Sequence, residues 1–266
     1  MAERRASLPL FFLLAYAFMW PCFLAVARWV PVHSVGGQAL VFLGAFAPSF
    51  AAIVVTRAWA RTEESRELLS HLARWPAHAG WYAFAAGFTI ALKLAAALVH
   101  RFAFGEWPRF GPESLVLMPF AVLLSWPVQL GEELGWRGFA LPRLARRMGL
   151  PAASLVLGAL WGAWHLPQFF IAGADSHQQS FPVYVLGVIA VSVVFAWVYA
   201  RTNASLPAVM LLHAAYNNTK DIVPSALATA PGVFSFAASR IGWLTLVLLW
   251  IVAFACLWDL RGRTLD

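Results

Sequence analysis

The chain has 266 residues, of which 61% are hydrophobic and only 12% are charged. An ordinary soluble domain is about 45–50% apolar and about 25% charged, so this composition excludes a soluble globular protein. The apolar runs are continuous and do not alternate with polar residues, which excludes a transmembrane β-barrel. The net charge of +7 is dispersed along the chain, so we expect no nucleic-acid partner. The composition predicts an all-α, polytopic transmembrane helical bundle.

About 20 consecutive apolar residues are needed to cross a bilayer. By this criterion we predict about eight spans. They cover residues 8–27, 35–56, 75–100, 114–136, 151–172, 181–200, 205–218 and 241–258. We group them into N-terminal transmembrane helices with a cytoplasmic linker (1–113), a core that carries the polar motifs (114–219), and a loop with a C-terminal transmembrane helix (220–266). The segment 222–239 is uncharged but interrupted by prolines, which predicts either an extracytoplasmic loop or a re-entrant piece.

The distribution of basic residues predicts the orientation. With eight spans, thirteen of the Lys and Arg residues fall on the side of the two termini and five on the other side, while Lys93 lies inside the third span. Because cytoplasmic loops carry the excess of Lys and Arg, we expect both termini in the cytoplasm and the chain in a bacterial inner (plasma) membrane. On the same side, residues 139–150 predict a short basic amphipathic helix along the membrane surface.

Charged side chains at membrane depth are costly, so their positions point to function. Glu132 and Glu133 close an uncharged stretch, and Arg137 follows one helical turn after Glu133. Residues four apart lie on one face of a helix, so Glu133 and Arg137 are predicted to pair. Glu132 points about 100° away and is left for chemistry. The alternative is that both carboxylates mark a helix end that is wetted by the interface.

Two further pairs lie one helical turn apart inside apolar spans. Trp161 precedes His165, so the aromatic ring can form one wall beside the imidazole. His213 precedes Asn217 on one face of the seventh span, where an imidazole and an amide can bind a ligand, a metal ion or an oxyanion. Taken singly, each histidine is compatible with a packing role. Together with the carboxylates, they predict one polar chamber.

At these residues the chain resembles the CAAX-protease and bacteriocin-processing (CPBP, or Abi) family of intramembrane proteases, whose eukaryotic members resemble the Ras-converting enzyme. The family motifs are Glu-Glu-x-x-x-Arg, an aromatic residue (usually Phe) followed by x-x-x-His, and His-x-x-x-Asn. They are matched by Glu132, Glu133 and Arg137, by Trp161 and His165, and by His213 and Asn217. The motifs occur in family order on separate predicted spans, within residues 114–218.

The resemblance implies hydrolysis of a peptide bond in a membrane-associated peptide or protein, of the CAAX type or in bacteriocin or peptide maturation. Glu132 is then the general base that deprotonates a water. His165 orients that water or donates to the developing negative charge, and His213 with Asn217 forms the oxyanion site. Glu133, Arg137 and Trp161 have supporting roles. We expect the catalytic residues to line one cavity that opens towards the cytoplasm.

Two questions stay open in the sequence. Glu132, His165 and His213 could instead bind a catalytic Zn²⁺, but no His-Glu-x-x-His motif is present, so we expect no cofactor in preference to zinc. The same residues could also belong to a non-catalytic membrane protein, such as an immunity or scaffold protein. A third reading is a transporter with a proton relay, which inverted repeats would favour, and none is visible in the sequence.

Overall fold

The computed structural model describes residues 7–265 except 60, 61, 113, 226, 228 and 229. Every regular element in this part of the chain is a helix, so the predicted all-α class is confirmed. The α-helices are α1 (Leu8–Arg28), α2 (Val35–Ala45), α3 (Ala47–Trp59), α4 (Thr62–Ser70), α5 (Ala79–Phe104), α6 (Met118–Ser125), α7 (Leu130–Glu133), α8 (Leu141–Trp164), α9 (Phe181–Arg201), α10 (Leu206–Thr219) and α11 (Arg240–Asp259). A π-helix covers Leu134–Ala140, and short 3-10 helices cover His71–Ala73, Pro127–Gln129, Leu166–Phe170 and Lys220–Ile222.

The helices make this an integral membrane protein. By length and composition, the described residues contain five helical segments that can cross a membrane, or six if the bent pair α2 and α3 is one span. The predicted count of eight is therefore not confirmed. One difference is α10, which has only 14 residues, fewer than the roughly 20 that a span needs. The other is that predicted spans four and five belong to one long helical segment, Met118–Phe170.

Serine residues begin several of these helices. Ser7, Ser34, Ser180, Ser205 and Ser239 each accept a hydrogen bond from the backbone N–H three residues further on. Such caps satisfy backbone donors that have no partner within the helix, which matters most where little water is present. Helices α1, α9 and α10 also have a proline within their first two positions, where no N–H is needed.

The short helix α10 lies in the interior of the bundle. Its residues 206–215 are all buried, and it packs against α5, α6 and α9. Because protein surrounds it, α10 need not be as apolar or as long as a helix that faces lipid. The α8–α9 interface is close as well: a Cβ on Gly158 would lie 2.7 Å from Cα of Ile189. These contacts fix α8, α9 and α10 relative to one another.

The polypeptide between α6 and α8 is not the continuous helix 114–136 that the sequence predicted. Helix α6 begins at Met118, a 3-10 turn interrupts it at Pro127–Gln129, and the π-helix follows α7. Pro127 cannot donate the backbone hydrogen bond that a regular helix needs there. The π-helix, whose seven residues are all buried, is a rare element that often occurs at functional sites.

The two ends of the bundle differ in composition. The basic end carries α4, the beginning of α8 and the C-terminus of α11; here Arg143 Nη2 lies 2.6 Å from Glu64 Oε2. The predicted amphipathic helix lies at this end as the first part of α8, which Gly149 separates from the rest with a φ of +77°. The loop end carries the segments after α8 and α10. Among its described residues, 223–239 contain no helix; whether this segment is an extracytoplasmic loop or a re-entrant piece stays a prediction.

Candidate active site

One cavity of about 560 Å³ extends from the middle of the bundle to the loop end. Four predicted catalytic residues line it: Glu132, His165, His213 and Asn217. They come from α7, the C-terminal end of α8 and α10, so three separate parts of the chain are brought together. Trp161 lines the same cavity. The supporting residues Glu133 and Arg137 do not line it and lie behind its wall, fully buried.

Glu132 is held by an indole. The Nε1–H of Trp161 donates a hydrogen bond of 2.6 Å to Oε2 of Glu132. Glu132 is only partly buried, whereas its neighbour Glu133 is not exposed at all. The two adjacent carboxylates are therefore different, as the helical geometry predicted: one faces the cavity and the other faces the protein.

His165 is oriented by the same tryptophan. Its Nδ1 donates to the backbone carbonyl of Trp161 at 2.8 Å, since a carbonyl oxygen can only accept. In the neutral imidazole this leaves Nε2 as an acceptor. The ring packs edge-on against Trp164 and Tyr184, with centroids 4.8 and 5.6 Å away. The imidazole is thereby fixed in one orientation beside the cavity.

Glu133 joins two positively polarised groups. Its Oε1 accepts from Arg137 Nη1 at 2.9 Å and from His213 Nδ1 at 2.7 Å. The contact with Arg137 is the pair that the sequence predicted. The contact with His213 was missed, because the two residues are 80 positions apart and only the packing of α10 against α7 joins them. Glu133 thus connects the first motif to the third.

Arg137 is fully buried, and aromatic rings cover the face of its guanidinium. Its Cζ lies 4.2 Å from the ring centroid of Trp161 and 4.8 Å from that of Phe195. Such cation–π contacts are worth about 2 kcal/mol or more when desolvated. Nε and Nη2 of Arg137 and Oε2 of Glu133 have no hydrogen-bond partner, so this charge pair depends on a single ion-pair contact and on the rings.

Three lining residues were not singled out in the sequence. Tyr184, Tyr216 and Gln168 line the cavity, and each lies in or beside an apolar helix. Gln168 stands three positions after His165, which was the only available signal. Asn217 differs from the other motif residues because its side chain is exposed. It can therefore meet a ligand that enters the cavity.

The cavity reaches the surface at an ion pair in the loop end. Lys220 Nζ lies 2.9 Å from Asp175 Oδ2, and both residues line the cavity. Burial lowers the pKa of Lys220, but Asp221 and Asp175 raise it by more, so the net pKa is raised. This opening is at the end opposite to the basic residues of α4, α8 and α11. The loops after α8 and α10 form the mouth, and the expectation that the cavity opens towards the cytoplasm stays a prediction.

The proposed zinc ligands do not form a metal-binding group in this arrangement. Across residues 7–265, apart from the six left undescribed, no three His, Cys, Asp or Glu side chains are placed to hold one ion. Nδ1 of His165 and Nδ1 of His213 are both used in hydrogen bonds to the protein, which leaves each Nε2 free. A metal-free reaction stays a prediction.

The part of the chain that carries this arrangement is similar to known proteins. Residues 112–219 match the family model described as Type II CAAX prenyl endopeptidase Rce1-like. CAAX prenyl protease 2 of Methanococcus maripaludis is 26% identical over 98 residues, which are 35% of this chain and 36% of that relative. The matched part thus spans about a third of each protein. It supports the resemblance: residues 112–219 are similar to an Rce1-like endopeptidase domain, and they lie within an integral membrane protein.

Proposed function

We propose that this chain is an intramembrane endopeptidase that hydrolyses a peptide bond of a membrane-associated substrate with water activated by Glu132. The observation that supports this best is that Glu132, His165 and His213 line a single cavity within an apolar bundle. Carboxylate and imidazole side chains at membrane depth cost free energy, and a shared reaction explains why they lie together.

The geometry suits the activation of one water molecule. Oε2 of Glu132 accepts from Trp161, which leaves Oε1 for a water. Neutral His165 offers Nε2 as a second acceptor. A water that donates to both groups turns its oxygen lone pair towards the substrate carbonyl. Glu132 takes a proton as the C–O bond forms and passes it to the leaving nitrogen as the C–N bond breaks. General base catalysis of this kind contributes about 10²–10⁴-fold.

His213 and Asn217 are assigned to the oxyanion. Nδ1 of His213 donates to Glu133, so Nε2 can donate only when the ring is the imidazolium. The amide of Asn217 supplies a neutral donor from the exposed side of the cavity. One well-placed donor to an oxyanion is worth roughly 3–4 kcal/mol.

The substrate class follows from the resemblance. CAAX-type processing or the maturation of a bacteriocin or other peptide fits a cavity with apolar walls and a polar base. We place the chain in a bacterial inner membrane with both termini in the cytoplasm, because most Lys and Arg residues lie at the end of the bundle that carries α4 and the C-terminus of α11.

Purified protein in detergent, incubated with a pool of membrane-anchored peptides, tests the proposal. We expect cleavage by the wild type and by Glu63→Gln, a matched change at an exposed position of α4. Glu132→Gln should insert and fold but should not cleave, since an amide cannot take the proton. Full turnover by Glu132→Gln contradicts the assigned base. An immunity or scaffold protein would cleave nothing and would keep its phenotype in the Gln variant.

A further inference from the structure

We propose that a second cavity, at the basic end of the bundle, is a binding site for the headgroup of an anionic phospholipid. The cavity has a volume of about 480 Å³, within the range of roughly 300–1,000 Å³ that is usual for small-molecule sites. None of Glu132, His165, His213 and Asn217 lines it. It is therefore separate from the candidate active site, and its ligand is not the substrate of the proposed reaction.

Three arginines of α8 line this second cavity: Arg143, Arg146 and Arg147. Residues three and four apart share one face of a helix, so the three side chains reach the same space. Guanidinium groups bind phosphate oxygens through paired N–H donors, which makes clustered arginines typical of a phosphate site. Basic pockets between transmembrane helices bind lipid headgroups in this way. The arginines thus indicate a phosphate group as the ligand.

Arg143 differs from the other two arginines because the protein holds its guanidinium. Its Nη2 donates to Glu64 Oε2 at 2.6 Å and its Nη1 donates to the backbone carbonyl of Phe139 at 3.1 Å, which leaves its remaining N–H donors for a ligand. Arg146 and Arg147 are exposed, and within the described chain neither side chain has a hydrogen-bond or ion-pair partner. Two unoccupied guanidinium groups therefore stand beside one that is already fixed.

The charges that line the second cavity leave one positive charge uncompensated. Glu64 and Glu67 oppose the three arginines. His71 also lines the cavity, but burial, and then the charge of Arg74, lower its pKa to about 4, so the ring is neutral at pH 7. A phosphodiester carries one negative charge and neutralises this lining. The hydroxyl groups of a phosphoglycerol headgroup can also donate to Glu67, whereas a choline headgroup brings a further positive charge.

The second cavity lies at the depth of a lipid headgroup. Leu8, the first residue of α1, lines it, and α1 is a candidate span of 21 residues. At 1.5 Å per residue α1 is about 30 Å long, which is the thickness of the hydrocarbon core, so its first residue lies where the headgroup layer begins. Leu68 and Pro142 add apolar surface for the glycerol backbone of the lipid. Headgroups are present at both faces of a bilayer, so either orientation of the chain places the cavity beside them.

Thermal unfolding of the delipidated, full-length protein in an uncharged detergent tests the proposal. We expect phosphatidylglycerol, added to the micelles, to raise the melting temperature by about 3 °C or more, because a ligand that binds only the folded state stabilises it. Phosphatidylcholine and inorganic phosphate at the same concentration should give no such rise. An equal rise with phosphatidylcholine overturns the selectivity for an anionic headgroup. An equal rise with inorganic phosphate overturns the lipid as the ligand, since a soluble anion then suffices.

The double variant Arg146→Gln/Arg147→Gln should lose the rise with phosphatidylglycerol. Because both side chains are exposed, we expect it to fold. Arg57→Gln/Arg66→Gln is the matched control: it removes the same charge from exposed positions at the same end, neither of which lines the second cavity, and it should keep the rise. Equal responses of the two double variants overturn the site, because phosphatidylglycerol then acts on the surface charge as a whole.

Native mass spectrometry counts the bound lipid independently of stability. From micelles that contain equal amounts of the two lipids, we expect the wild type and the control variant to retain one phosphatidylglycerol per chain. Arg146→Gln/Arg147→Gln should retain at least about 10-fold less, since it lacks the charged hydrogen-bond donors. If this variant retains as much phosphatidylglycerol as the wild type, the lipid does not bind at these arginines and the proposal fails.

Discussion

The indole Nε1–H of Trp161 lies 2.6 Å from Oε2 of Glu132, and the carbonyl of Trp161 accepts from His165 at 2.8 Å. One residue therefore holds the two groups that we propose to bind the reacting water. The resembling family usually has phenylalanine at this position, which has no N–H to donate. The tryptophan thus adds a contact to the proposed base that a phenylalanine cannot make.

Trp161→Phe tests this contact. Hydrogen bonds to charged groups contribute about 1.5–3 kcal/mol, so we expect kcat to fall about 10-fold with little change in KM. Folding should be retained because the ring still packs on Arg137 and His213. Trp164→Phe is the matched control: it removes an indole that donates to the carbonyl of Ala15 instead. Equal loss of kcat in both variants contradicts a specific role for the contact with Glu132.

Glu133→Gln is expected to damage stability as well as activity. The Glu133–Arg137 pair is fully buried, and removal of one partner of such a pair costs about 3–5 kcal/mol because the other charge is left uncompensated. Thermal unfolding in detergent measures this. Glu64→Gln is the control, since its pair with Arg143 is partly exposed and its loss should cost at most about 1 kcal/mol.

The double variant Glu133→Gln/Arg137→Met checks the physical reason for that effect. It removes the buried positive charge together with its partner, so we expect it to regain part of the lost melting temperature. The single variants Glu133→Gln and Arg137→Met give the two separate losses of melting temperature. If the double variant loses as much as these two losses added together, then packing, and not an uncompensated charge, dominates.

Chelation tests the preference for a metal-free reaction. We expect the purified protein to keep its cleavage activity after dialysis against a zinc chelator, since Glu132 and His165 together position the water. If activity disappears and Zn²⁺ restores it, then Glu132, His165 or His213 binds a metal ion and the assigned roles change.

The pH dependence of stability should contain a contribution from His71, which follows α4 outside the membrane. Burial, and then the charge of Arg74, lower the pKa of His71 from 6.5 to about 4, and Tyr199 donates to its Nδ1 at 2.7 Å. A lowered pKa means that the folded protein prefers the neutral ring, so this contribution is complete above pH 6.5. It is lost as the pH falls from 6.5 towards 4.

Melting temperatures measured between pH 7 and pH 5, above the range in which most carboxylates titrate (about pH 4), isolate this effect. His71→Asn keeps an acceptor near the Nδ1 position and cannot be protonated, so its melting temperature should fall less over this range. His78→Asn, at an exposed position, should follow the wild type. Parallel curves for the wild type and His71→Asn contradict the prediction.

The sequence by itself determined the class of protein and the identity of the polar residues. In a bilayer, the backbone N–H and C=O groups of a long apolar segment find hydrogen-bond partners within that segment only if it is a helix. The all-α class therefore followed from composition. The Glu133–Arg137 pair followed from helical spacing, because residues four apart are neighbours even where the backbone becomes a π-helix. Both properties are local, and local properties can be derived from residue order.

Only the tertiary structure decided the contacts that join distant parts of the chain. Trp161 meets Glu132 across 29 positions and His213 meets Glu133 across 80, and no spacing rule predicts either contact. The interior position of α10 and the break at Pro127–Gln129 altered the predicted spans, since burial among other helices relaxes the length and the composition that lipid demands. The end of the bundle at which the cavity opens was likewise decided by packing, because the loops after α8 and α10 surround its mouth.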